Sequence, residues 1–122
     1  MTKRILVVED QKDDREIIRD TLAGTDYEIT EVENGEQALA AVAKQSPDLI
    51  LMEIQLPIMD GYEAMRRIRT DPALKAIPII AVSSYAPSEE QQKARTAGCN
   101  DFVPKPYSPR QLRAKIRHHL SQ

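Results

Sequence analysis

The sequence predicts an α/β chain built on a doubly wound parallel sheet, and three observations carry that prediction. Five short apolar runs alternate with helical patterns along the chain. The first, third and fourth runs are near-continuous Ile, Leu and Val, the composition of strands covered on both faces. No linker or low-complexity stretch interrupts the 122 residues, a common size for one domain, so residues 1–122 read as a single three-layer sandwich.

The first strand is expected over Arg4–Val8, followed by a helix striped by Ile17, Ile18 and Leu22. The second strand is expected over 27–32, with Ala38, Leu39 and Val42 marking its helix. The third strand, 48–52, ends at Glu53; Asp60 is placed to cap a third helix marked by Tyr62, Met65 and Ile68. After the fourth strand, 78–82, comes a polar helix over 88–97 whose weak apolar side is Ala94 and Ala97. Ser88 reads as its cap, with Gln91 completing a capping-box-like pair. Gly98 sits where a helix ends in a left-handed residue. The fifth strand is expected over 100–103. Ser108 and Pro109 then place a cap and an N1 proline before a last helix with Leu112, Ile116 and Leu120 at i, i+4 and i+8.

Composition narrows the function. Nineteen acids against seventeen bases give a net charge of −2, and no Trp is present, so neither bulk charge nor stacking surface points to nucleic acid. The lone Cys99 excludes an internal disulfide and reads as a small core residue of a protein in a reducing compartment. The N-terminal apolar run, 5–8, is too short for a signal peptide or a membrane span. A cytoplasmic protein with no membrane contact is expected. His118 and His119 are adjacent, so on a helix they point about 100° apart and cannot share a metal at helical spacing. They read as a solvated end.

Chemistry-bearing residues cluster at the expected carboxyl ends of the strands. Glu9 and Asp10 follow the first strand, Glu53 the third, Ser83 and Ser84 the fourth, and Lys105 the fifth. In an open parallel sheet those ends converge on the ligand crevice. Three acids, a hydroxyl and an ammonium there form a candidate phosphoryl-transfer site: the acids suit Mg²⁺, and the hydroxyl and ammonium suit phosphoryl oxygens. Taken singly, each has a plainer reading. Glu9-Asp10 would be a solvated turn, Lys105 a surface lysine, Ser83 a strand-end hydroxyl and Phe102 ordinary core.

Taken together, Val7-Val8-Glu9-Asp10, the run from Asp48 through Glu53 to Gln55-Leu56-Pro57-Ile58-Met59-Asp60-Gly61, Ser83, Phe102 and Lys105-Pro106 resemble response-regulator receiver domains over essentially the whole chain. The resemblance implies a flavodoxin-like fold with strand order 2-1-3-4-5, an order associated with this family in general treatments of the fold. It implies Asp10 as a direct Mg²⁺ ligand, Glu9 acting mostly through water, and the residue at position 53 and the backbone carbonyl of Gln55 completing the set. Ser83 would be the switch hydroxyl and Phe102 the aromatic switch. A cis bond before Pro106 would aim Lys105 into the site. Tyr85 would stand at its entrance. The implied partners are a histidine kinase or histidine phosphotransfer protein, docking at the first helix (Asp14, Ile17, Ile18) and the loops near Pro57 and Pro106. A downstream target would bind across helix four, strand five and helix five, and a weak homodimer fits the same family. Such a protein is no enzyme toward outside substrates, although the parent site would catalyse its own phosphorylation and dephosphorylation. The wording resembles single-domain receivers of the cell-fate regulator type, signalling by protein contact with no output domain after Gln122.

The family's phosphoacceptor is an aspartate, whereas this chain has Glu53. One extra C–C bond moves the carboxylate by about 1.5 Å, and a misplacement of about 1 Å costs on the order of a hundredfold in rate. Glu53 is therefore expected to be non-phosphorylatable; reaching toward Ser83 and Lys105, it either mimics the phosphorylated state in part or pairs with Lys105 or the metal and leaves the fold inactive. The intact residues around it imply near relatives with aspartate. The alternative is a pseudo-receiver, a binding module that works without phosphate. A haloacid-dehalogenase-like phosphatase would need Asp-x-Asp where this chain has Asp10-Gln11-Lys12, and a flavin carrier would need a Gly- and Ser/Thr-rich first turn that is absent.

Overall fold

A computed structural model describes residues 2–121. Five strands, β1 (Arg4–Val8), β2 (Glu28–Val32), β3 (Leu49–Glu53), β4 (Ile79–Ser83) and β5 (Asp101–Pro104), form one parallel sheet ordered β2-β1-β3-β4-β5. Helices α1 (Lys12–Leu22), α2 (Gly35–Lys44), α3 (Gly61–Thr70), α4 (Ser88–Ala97) and α5 (Pro109–Leu120) connect and follow them. The fold is flavodoxin-like, and the order places β2 and β5 at the edges with β3 at the centre.

Side chains alternate across each strand, so the sheet builds two cores. Leu6, Val8, Ile50, Met52, Ile79 and Ala81 meet α2, α3 and α4 on one face, with Tyr62, Met65, Ile68 and Phe102. Ile5, Val7, Leu49, Leu51, Ile80 and Val103 meet α1 and α5 on the other, through Ile18, Leu22, Leu112 and Ile116. All five positions of β3 and β4 are buried, which explains their unbroken apolar runs. Each fully buried Leu or Ile contributes about 1.5–3 kcal/mol relative to exposure.

Boundaries moved at several points. β3 runs through Glu53 because the next amide, Ile54, still donates to Val82 O at 3.1 Å. Asp48 is left outside, its Oδ2 accepting from Arg4 N–H at 2.7 Å. The expected Ser88 cap is not formed: Pro87 occupies the cap position, and Gln91 donates through Nε2 to Ala86 O instead of completing a box. Pro87 has the extended backbone a cap requires, which leaves Ser88 inside the first turn. Asp60 and Ser108 do cap α3 and α5, accepting from Glu63 N–H and Gln111 N–H. Gly98 ends α4 at φ 130°. An unexpected 3₁₀ turn, Pro72–Leu74, follows α3, started by Asp71 accepting from Ala73 N–H. On α1 the buried stripe is Ile18, Thr21 and Leu22; Ile17 is 50% exposed.

Candidate functional site at the carboxyl ends of the strands

Parallel pairing fixes which residues meet above the sheet. Val8 is level with Met52, Glu53 with Val82, and Ser83 with Pro104, so Glu9, Glu53, Ser83 and Lys105 all emerge at one end. Two details of local structure hold that end in shape. The Lys105–Pro106 bond is cis. Gly61 opens α3 against the end of β3, where a Cβ would lie 2.4 Å from Glu53 O; a close approach of this kind admits only glycine.

Lys105 is the hub. Its Nζ donates to Glu9 Oε1 at 2.6 Å, Asp14 Oδ2 at 3.1 Å and Glu53 Oε1 at 3.2 Å. The second Glu53 oxygen accepts from Ile54 N–H at 3.0 Å, so both oxygens of this 6%-exposed carboxyl are engaged by the protein. Burial pushes the Glu53 pKa up to about 7; Lys105 opposes that rise and the Glu9 charge reinforces it. Glu9 is raised for the same reason, burial outweighing its bonds to Lys105 and Gln11 N–H. Burial also works against the Lys105 ammonium, but the Glu9 hydrogen bond and the Glu53 and Glu9 charges win, and its pKa lies above the usual range. The ammonium is therefore a fixed positive charge beside Glu9 and Glu53, two carboxyl groups that hold protons more readily than usual.

A cavity of about 490 Å³ opens over this hub, lined by Asp10, Gln11, Asp14, Glu53, Gln55, Ser84, Lys105 and Tyr107, among others. Burial lifts the Tyr107 hydroxyl to about 12, so it stays protonated. Ser83 is 1% exposed, and its Oγ accepts from Tyr85 N–H at 3.1 Å. The Glu53 side chain does not bond Ser83; the expected reach toward it is met only on the Lys105 side. The Ser83 O–H has no acceptor among the described residues and remains available to an oxygen arriving in the site. Phe102 is buried, in the same core as Ala94 and Ala97 of α4.

The donor set is all oxygen, and four carboxyl groups (Glu9, Asp10, Asp14 and Glu53) face a single ammonium, an excess of acid that suits a divalent cation. Among the described residues no three His, Cys, Asp or Glu side chains converge as a ready cage. An all-oxygen set suits Mg²⁺, which takes one or two carboxylates and fills its octahedron with water and phosphate oxygens. Asp10, whose only side-chain bond among the described residues is from Gln11 Nε2 at 3.1 Å, is the least committed of the four carboxylates.

Three participants escaped sequence reasoning. Asp14 was read only as part of a docking helix, yet it bonds Lys105; its spacing of four residues from Asp10 on the first turn of α1 was the available signal. Arg15 Nη1 donates to Glu9 O and Asp10 O, fixing the β1–α1 loop. At the opposite pole, His119 is not a solvated end: its Nε2 lies 3.1 Å from Asp101 Oδ2, beside the Lys115–Asp101 bond.

Residues 5–117 match the family profile of the response regulator receiver domain. The chain is 34% identical over 120 residues to the polar-differentiation response regulator DivK of Brucella ovis, with 98% of each chain covered. The receiver domain of a sensor histidine kinase from Pseudomonas aeruginosa, solved with magnesium in its active-site cleft, superposes with a TM-score of 0.92 at 32% identity and full coverage of both chains. A chain from Chloroflexus aurantiacus assigned as a response regulator superposes with a TM-score of 0.95 at 29% identity, again over 100% of both. With the profile spanning nearly every residue and these relatives matched almost end to end, the chain belongs to the response regulator receiver domains of two-component signalling.

Proposed function

We propose that the chain is a phosphorelay receiver whose phosphoacceptor position carries a glutamate that resists phosphorylation and partly mimics the phosphorylated state. The observation that supports this reading is the bonding of Glu53. One oxygen is held on Lys105 and the other on Ile54 N–H, so the protein anchors both oxygens of a carboxyl that is already one methylene longer than the aspartate the attack geometry requires. In the parent chemistry, a carboxylate oxygen at position 53 attacks phosphorus. The P–N bond to the donor histidine breaks, and its electron pair returns to the imidazole. Lys105 and Ser83 would hydrogen-bond the phosphoryl oxygens, and Asp10, position 53 and the Gln55 carbonyl would hold Mg²⁺, which would supply charge neutralisation there. Glu9 takes part through Lys105 and water.

The mimicry is partial. A phosphoryl group brings roughly −1.5 to −2 charge with three acceptor oxygens, against about −1 and two for a carboxylate. Driving a two-state switch nearly to completion needs about 5.5 kcal/mol of differential stabilisation. The chain works in the cytoplasm by contact, receiving signals from a histidine kinase or phosphotransfer protein and passing them to a protein target. It acts on no external substrate.

Intact mass after incubation with Mg²⁺ and acetyl phosphate tests the proposal. A phosphoryl adduct on Glu53→Asp and none on the parent is the expected result. Adduct on neither chain overturns it and leaves a binding module that works without phosphate; equal adduct on both removes the claim about Glu53.

A further inference from the structure

Tyr62, in the first turn of α3, donates its hydroxyl to Glu90 in the first turn of α4, and the Lys93 ammonium lies 4.4 Å from its ring centroid. The phosphoryl chemistry above uses none of these groups. Burial, reinforced by the Glu90 bond, keeps the Tyr62 hydroxyl protonated and so a donor. The packing of α4 shows why the contacts matter. Its buried residues are Ala94 and Ala97, both in the second half. The part before Ala94 is held by polar contacts: Tyr62 to Glu90, Lys93 over the Tyr62 ring, and Gln91 to Ala86 O at 2.9 Å. The same segment is tied at its other end to Ser83, whose Oγ accepts the Tyr85 N–H. Tyr62, Ser83, Tyr85 and Glu90 line one cavity of about 500 Å³ on the α3–α4 side of the site.

We infer that Tyr62 is a positioning residue for the switch: its hydroxyl latches the first turn of α4 to α3 and, through the segment 84–90, keeps the Ser83 hydroxyl on Tyr85. Turning Ser83 toward a phosphoryl oxygen gives up the Tyr85 bond and frees the β4–α4 loop. That loop can move only as far as the Tyr62–Glu90 bond permits. The latch therefore sets how readily the site and the α4 surface change together, an inference that rests on the phosphorelay reading for its purpose but not for its geometry.

Amide hydrogen exchange on the four members of a Tyr62→Phe and Ser83→Ala cycle tests it. Tyr62→Phe keeps the ring and the Lys93 contact and removes only the hydroxyl. Losing a hydrogen bond to a charged group is expected to raise exchange over residues 84–93 by about tenfold to a hundredfold, with the sheet amides unchanged. Glu90→Gln, which keeps an acceptor, should fall between parent and Tyr62→Phe. In the cycle the two substitutions should be non-additive, because each releases one end of the same segment. A uniform rise across the chain would make Tyr62 a structural residue only, and an unchanged segment or additive effects would overturn the latch. None of these readouts needs phosphate. Failure of Glu53→Asp to take a phosphoryl group would thus count against the relay reading alone.

Discussion

Glu53 places a second carboxyl beside Glu9 in a buried pocket with one ammonium, and the balance among those three groups governs what pH does to this protein. The folded pKa of Glu53 is raised from 4.5 to about 7 by burial. Between those values the folded chain keeps a proton that the unfolded chain has lost. Stability from this group is therefore fully present below pH 4.5 and falls as pH rises through 7, by up to about 3 kcal/mol. Urea denaturation in EDTA between pH 5 and 8 should show that decline in the parent and a flatter profile in Glu53→Gln; equal slopes would contradict the assignment. Lys105 carries the opposite sign of the same balance. Lys105→Met leaves buried carboxylates uncompensated and should destabilise the fold by about 3–5 kcal/mol at pH 8, and by less at pH 5, where Glu53 is protonated. Glu53, Lys105, Ser83 and Asp10 were all visible in the sequence as strand-end polar residues. Asp14 was not, because its part depends on the direction Lys105 takes from another strand 91 residues away.

Among the elements, the β3–α3 connection does most to shape the site. Gly61 lies so close to β3 that a methyl group would meet Glu53 O and Ile54 Cα at 2.4 and 2.9 Å. Gly61→Ala must push the loop off the strand end, an overpacking that should cost about 1–3 kcal/mol. In the Glu53→Asp background it should also slow phosphoryl loading from acetyl phosphate; normal stability and normal loading would refute the packing argument. The same loop carries the exposed Ile58 at φ 70°, a conformation that a β-branched residue rarely adopts and that no sequence pattern announces. At the far end of α3, Arg69 donates to Gly98 O, Leu74 O, Lys75 O, Ile77 O and Asn100 Oδ1, joining the 3₁₀ turn to the segments before β4 and β5. Arg69→Lys retains charge but loses the planar fork. It should lower the urea midpoint nearly as much as Arg69→Ala, and full retention by lysine would show that charge alone suffices. Caps at Asp60 and Ser108 were legible from local chemistry. The failed Ser88 cap was not, because whether Pro87 or Ser88 takes the cap position depends on how the β4–α4 loop leaves the sheet.

At the scale of the molecule, the two cores share one sheet, so neither can open without exposing the other face of β3 and β4. Calorimetry should accordingly give one transition with equal calorimetric and van't Hoff enthalpies; two resolved transitions would mean that the faces melt separately and that residues 1–122 are not a single unit. Charge is also divided along the chain: residues 1–60 carry fourteen acids and six bases, residues 61–122 five acids and eleven bases. By itself the sequence determined the α/β class, the five strands, the starts of α3 and α5, the glycine that ends α4 and the list of strand-end residues, since apolar periodicity and local capping follow from neighbours in the chain. The strand order entered only through family resemblance. Tertiary structure alone decided that Lys105 holds Glu9, Asp14 and Glu53 together, that both Glu53 oxygens are bonded, and that Tyr62 reaches α4. Apart from the Glu53 bond to its neighbour Ile54, those contacts join residues 28 to 96 positions apart, and their geometry is set by register and packing across the sheet rather than by any local preference of the chain.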